Sequence, residues 1–184
     1  MAYSPDEIQL DGITFDLFLS EKEIMARVEQ VAAEMAASYR EESLVLVSIL
    51  KGAFIFTADF YRNLPLDVPI SFIRAQSYEG MRSTGKVEFS GLDDISVEGK
   101  QVLVLEDIVD TGNTLSALAP QLKDMGAAGI RICTLLFKPD VLKHELPPIT
   151  ACFEIPPDFV VGYGLDYNQL GRNLAGIYRK RDEG

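Results

Sequence analysis

Two adjacent acids, Glu106 and Asp107, end an apolar run, and the chain then passes through Asp110, Thr111, Gly112, Asn113 and Thr114 into a helical pattern. Small hydroxyl and glycine residues before a helix offer backbone N–H groups and two threonine hydroxyls to an anion, at the positive end of the helix dipole. The acids cannot bind a phosphate directly. They can accept hydrogen bonds from sugar hydroxyls or help hold Mg²⁺. Phosphate, sugar diol and metal read together point to a ribose phosphate. The plainer alternative is a buried strand with an acidic, solvated turn, and short motifs do produce such false matches. The whole ordered pattern, more than any single glycine, carries the functional reading.

These residues can meet a ligand only if Val102, Leu103, Val104 and Leu105 form a buried parallel strand. In an open α/β sheet, ligands sit beyond the carboxyl ends of the strands. The rest of the chain predicts such a sheet. Ser20 to Glu23 forms a capping box, and Ile24, Val28, Val31, Ala32, Met35 and Tyr39 then follow helical spacing to about Arg40. A buried strand is expected over 44–50, a helix over 53–63, a strand beginning at 70–73, and a short strand near 86–89. A helix over 113–125 follows the signature run, with Pro120 expected to kink or divide it. Further strands are expected over 130–136, over 151–154, and over 159–163 as the last core strand or its immediate continuation. Residues 76–100 are polar and long for a connection, which marks functional or mobile segments. Residues 179–184 read as a solvated tail. Strands alternating with helices indicate an α/β fold, a mainly parallel sheet covered on both faces. The whole chain, 1–184, is expected to form one domain, with a core over about 20–165. Terminal segments 1–19 and 151–184 remain to form a hood.

Bulk properties narrow the partners. A chain of 184 residues, 47% apolar and 24% charged, suits one soluble domain with a proper core. The net charge of −11 argues against a general nucleic-acid binder, which needs Lys and Arg to neutralise phosphates. It leaves a phosphorylated small substrate open. Cys133 and Cys152 are no disulfide framework and no metal motif, and read as core thiols. No signal-peptide pattern opens the chain and no apolar stretch is long enough to span a membrane, so a cytoplasmic location is expected. The single histidine, His144, excludes a His-based triad and reads as a surface residue without a role.

The signature run resembles that of the type I phosphoribosyltransferases, and within them the hypoxanthine/guanine branch. The resemblance extends through four ordered motifs from about Leu44 to Arg172. It implies that Glu106 and Asp107 meet the ribose hydroxyls and neighbour a Mg²⁺. It implies that residues 110–114, including Gly112 and the hydroxyls of Thr111 and Thr114, cradle the 5′-phosphate. Asn113 stands where several members carry a lysine, which weakens that contact but leaves the backbone donors. Asp110 is implied as the general base for the purine N7 proton; taken alone it also suits a helix N-cap. Lys51 and Gly52 are implied as a pyrophosphate loop, often with a cis peptide before the lysine, although the lysine alone reads as solvated. Ser77 and Tyr78 match the family's flexible loop, which shields the reacting centre from water; an ordinary surface loop is the alternative.

The fourth motif is a base-binding set of Lys138, Phe159, Val160 and Asp166, with Arg172 beyond. Lys138 carries donors only, which suits the O6 carbonyl of a 6-oxopurine and opposes the amino group of adenine. Phe159 is implied to stack on the purine and Val160 to offer its backbone; without the resemblance both read as core residues. Asp166 is implied as the ligand of a second Mg²⁺ near pyrophosphate, and Arg172 as a fork for pyrophosphate oxygens. The resemblance therefore implies purine salvage: transfer of ribose 5-phosphate from phosphoribosyl diphosphate to N9 of hypoxanthine or guanine, with Mg²⁺, in a homodimer or homotetramer. A phosphoribosyltransferase for xanthine and a non-catalytic sensor of phosphoribosyl diphosphate remain as alternatives.

Overall fold

The computed structural model describes residues 5–39, 43–77 and 87–181. Its larger sheet grows from strands whose residues alternate between two apolar faces. Strands β3 (Leu44–Leu50), β4 (Ile70–Ser77), β6 (Gln101–Val109), β7 (Gly129–Phe137) and β8 (Ile149–Glu154) are parallel, and β5 (Val87–Ser90) joins β4 antiparallel at one edge. The spatial order is β5-β4-β3-β6-β7-β8. Leu44, Leu46, Leu103, Leu105, Cys133 and Leu135 face one side, where helices α1 (Glu21–Ser38) and α2 (Phe54–Asn63) pack. Val45, Val47, Val102, Val104 and Ile132 face the other, against Leu115, Leu118 and Leu122 of helix α3 (Asn113–Asp124). A sheet buried on both faces needs runs of this kind, with apolar residues at consecutive positions. Both cysteines lie free in this core, and burial pushes the Cys152 thiol up to about 12.

The start of α1 is set as its sequence requires. Ser20 caps the helix, its hydroxyl accepting from the Glu23 N–H, while the Glu23 carboxylate accepts from the Ser20 N–H at 2.9 Å. Replacing Ser20 with Ala removes this reciprocal pair, with an expected loss of about 1 kcal/mol. Differential scanning calorimetry should record a Tm lower by roughly 2–4 °C. Helix α3 runs undivided past Pro120, so the division expected as one of two outcomes does not occur. Pro120 lies on the exposed side, where water can meet the carbonyl that loses its partner.

A smaller antiparallel sheet, ordered β1-β2-β10-β9, forms the hood from β1 (Glu7–Leu10), β2 (Ile13–Leu19), β9 (Val160–Val161) and β10 (Ile177–Lys180). The expectation that 159–163 closes the core sheet fails here. Val160 and Val161 pair with Arg179 and Tyr178 in the hood, because Pro156 and Pro157 end the pairing of β8 and redirect the chain. The tail expected over 179–184 is corrected in part: Arg179 and Lys180 are exposed as expected but end the strand Ile177–Lys180, Arg181 pairs with Glu7 and Asp16, and 182–184 lie outside the described residues. The Tyr163 hydroxyl donates to Asp59 on α2 at 2.6 Å, tying the segment after β9 to the core. Among the described residues, no helix is long and apolar enough to cross a membrane.

Candidate active site

The strand order locates a crevice. From β3 the chain turns to α2 on one face and crosses to β4; from β6 it turns to α3 on the other face and crosses to β7. Strands β3 and β6 are neighbours, so their exit loops part there and leave a cleft, the ligand position of open α/β sheets. Lys51 and Gly52 leave β3 on one side of it, after a cis Leu50–Lys51 peptide. Glu106 and Asp107 stand on the other. The approach is close enough that a Cβ on Gly52 would fall 1.6 Å from Asp107 Oδ2. Gly164 completes the contact from the hood side. Its φ is +101°, and a Cβ there would lie 2.1 Å from the Gly52 carbonyl oxygen.

Arg172 binds this assembly. It donates to the Gly164 carbonyl at 2.7 Å and pairs with Asp166 at 2.5 Å. The second Asp166 oxygen accepts from the Gln169 N–H at 2.8 Å. Lys51 is exposed. Glu106 is buried, and its Oε2 has no hydrogen-bond partner. Burial first, and then the charge of Asp107, raises the Glu106 carboxyl well above its ordinary range; burial raises Asp107 as well. A buried acid with an unpaired oxygen beside a second acid is costly unless a ligand satisfies it.

The cost has a defined sign. In the unfolded chain Glu106 ionises near the ordinary glutamate value of 4.5, while in the folded protein it does so at higher pH. Below the unfolded value both states are protonated and the group does not affect stability. Above it the unfolded chain gains more from ionisation, and stability is lost until the folded value is reached. Glu106→Gln is therefore expected to raise Tm at neutral pH, an advantage that vanishes below about pH 4. Thermal scans of both proteins across pH test this effect.

Farther along the crevice, Lys138 follows β7 with only 6% of its surface exposed. Its ammonium lies 3.4 Å from Asp110 Oδ2, and the Asp110 side chain is 49% exposed. Asp110 does not cap α3; the cap position is Gly112, at φ +82°. Thr111 and Thr114 are half-buried and Asn113 is exposed. Phe159 is 47% exposed and meets Tyr167 edge-on at 5.8 Å and Phe15 at 6.3 Å, the latter two rings also touching at 6.2 Å. Val160 is buried beside it on β9. Ser77 ends β4; Tyr78 lies outside the described residues.

Lys51, Gly52, Glu106, Asp107, Asp166 and Arg172 thus gather about one end of the crevice, and Asp110 with Lys138 forms a second group. Among the described residues no three His, Cys, Asp or Glu side chains converge as a ready metal cage. Glu106 and Asp107 form one acidic pair, and Asp166 is held separately by Arg172. The sequence reading missed the aromatic support from Phe15 and Tyr167, the Gly164 contact, and His144, whose Nε2 lies 2.7 Å from Asn113 Oδ1. The lone histidine in a charged segment carried no signal of that partner.

A family profile described as the phosphoribosyl transferase domain matches residues 16–168. The chain is 41% identical over 166 residues to the hypoxanthine phosphoribosyltransferase of Haemophilus influenzae, covering 88% of this chain and 93% of that one. It is 38% identical over 176 residues to the hypoxanthine-guanine phosphoribosyltransferase of Aquifex aeolicus, covering 95% and 99%. A crystal structure of a hypoxanthine-guanine phosphoribosyltransferase from Bacillus anthracis superposes with a TM-score of 0.83 at 35% identity, over 95% of this chain and all of that one. The chain belongs to the phosphoribosyltransferase family. Within it, these similar proteins are named for hypoxanthine or for hypoxanthine and guanine.

Proposed function

We propose that this protein transfers ribose 5-phosphate from phosphoribosyl diphosphate to N9 of hypoxanthine or guanine, releasing pyrophosphate. The observation that carries the reading is the buried Lys138 ammonium beside Asp110, at the carboxyl ends of adjacent parallel strands. The ammonium donates to O6 of the purine. Asp110 accepts the N7 proton as N9 attacks C1′, and the electron pair of the breaking C1′–O bond leaves with pyrophosphate. Phe159 stacks on the base and the Val160 backbone meets its edge. Residues 110–114 receive the 5′-phosphate through N–H groups at the start of α3. Lys51, Gly52 and Arg172 hold the pyrophosphate, and Ser77 and Tyr78 belong to the segment that shields the reacting carbon from water.

The unpaired Glu106 oxygen and its acidic neighbour fit a ribose diol and a divalent cation. Glu106 and Asp107 would hold one Mg²⁺ and Asp166 a second. When bound, Mg²⁺ offsets the charge of the departing pyrophosphate. The residues of the chain supply positioning and electrostatic support.

A spectrophotometric assay with phosphoribosyl diphosphate and Mg²⁺ tests the reading, with hypoxanthine, guanine, xanthine and adenine run in parallel. Turnover of hypoxanthine or guanine, with none of adenine, is expected. Turnover of xanthine alone would redirect the base assignment. Binding of phosphoribosyl diphosphate without turnover of any base would overturn the enzymatic reading in favour of a sensor.

A further inference from the structure

We propose that His144 is a positioning residue for the phosphate end of the site, holding the Asn113 amide so that its N–H donors remain available to the 5′-phosphate. The inference rests on the function proposed above for residues 110–114. Asn113 is the first residue of α3, and the cap position before it is Gly112, so no side chain caps the first turn. A side-chain amide is two-faced: one orientation offers two N–H donors, the other a carbonyl oxygen. Beside a phosphate the oxygen repels. His144 Nε2 lies 2.7 Å from Asn113 Oδ1, from a residue 31 positions away. With the Nε2 proton donated, that oxygen is spent, and the unspent groups of the amide are its donors.

The contact is built into the packing of the segment that carries His144. The Lys143 N–H donates to the Thr111 carbonyl at 3.0 Å. A Cβ on Gly112 would lie 2.9 Å from Leu142 Cδ1 and 3.1 Å from Leu146 Cδ1. The residues on both sides of His144 are therefore pressed against the phosphate loop, and the ring is delivered to Asn113 from a fixed base. The same segment begins just after Lys138. The proposed purine contact and the proposed phosphate contact are thus tied to one short stretch of chain.

Steady-state kinetics of His144→Ala against each substrate separately tests the proposal. The KM for phosphoribosyl diphosphate is expected to rise about three- to tenfold, the loss of one neutral hydrogen bond. The KM for hypoxanthine should not move, and Tm should hold because the ring is exposed. His144→Gln, which keeps a donor, should recover most of the loss. In an Asn113→Ala background His144→Ala should add nothing, because the two act through one contact. The chain has a single histidine, so its ring-nitrogen NMR resonances are unambiguous. They should shift on titration with phosphoribosyl diphosphate and not with hypoxanthine alone. An equal rise in both KM values, or an undiminished effect in the Asn113→Ala background, would overturn the proposal. Wild-type protein that binds no phosphoribosyl diphosphate removes the reading of the loop itself. Wild-type binding matched by an unchanged His144→Ala removes only the role of His144.

Discussion

Asp110→Asn should lower kcat by about 10²–10⁴ while leaving the affinity for phosphoribosyl diphosphate close to that of the wild type, the range removed with a positioned general base. The substitution is nearly isosteric, and the side chain is half exposed, so the fold has little reason to change. It does not uncap α3, since Gly112 holds the cap position. The Lys138 ammonium would face an amide oxygen in place of a carboxylate, so the purine would still dock. What is lost is the acceptor for the N7 proton. Single-turnover kinetics with calorimetric titration of phosphoribosyl diphosphate separate the two quantities. An unchanged kcat would remove Asp110 from the reaction.

Lys138→Gln should have the second largest effect. A hydrogen bond from a charged group contributes about 1.5–3 kcal/mol. Losing the charge while keeping an N–H donor group should cut kcat/KM for hypoxanthine by roughly 10- to 150-fold, at about 1.4 kcal/mol per decade. Discrimination against adenine should narrow, because glutamine also carries a carbonyl that can accept from an amino group. Stability should survive. The ammonium is buried, but its partner Asp110 is half exposed and can be solvated when the pair is broken. Competition assays with hypoxanthine and adenine read the selectivity directly. Unaltered selectivity would show that O6 is recognised elsewhere.

The contrast between these residues and the hood shows what was legible in the sequence. The core strands were visible because continuous apolar runs are the signal of a sheet covered on both faces, and Ser20 and Glu23 announced the start of α1. Asp110 and Lys138 could each be singled out by residue type and place in a motif. Their meeting could not be read, since it depends on β6 and β7 lying side by side. The hood was expected from the terminal segments, but its strand pairings were hidden. Strand β9 has two residues, and its partner β10 ends in a basic stretch that resembles a solvated tail. Pairing between the ends of a chain leaves no local periodicity to find. Gly164 posed the same difficulty, because a glycine discloses nothing of the carbonyl it must approach until the fold brings Gly52 there.

That approach of Gly52 to Asp107 and Gly164 divides the crevice into two materials. At one end, main chain presses on main chain and carboxylate so closely that even a methyl group has no room. At the other, Lys138 after β7 meets Asp110 after β6 through side chains alone. Mutational drift is thereby confined. Gly52 and Gly164 admit almost no variants, while the end built of side chains can be rewritten one residue at a time. A library that varies Lys138, Phe159 and the aromatic residues behind it would explore new acceptor bases on an unchanged sugar-phosphate handle.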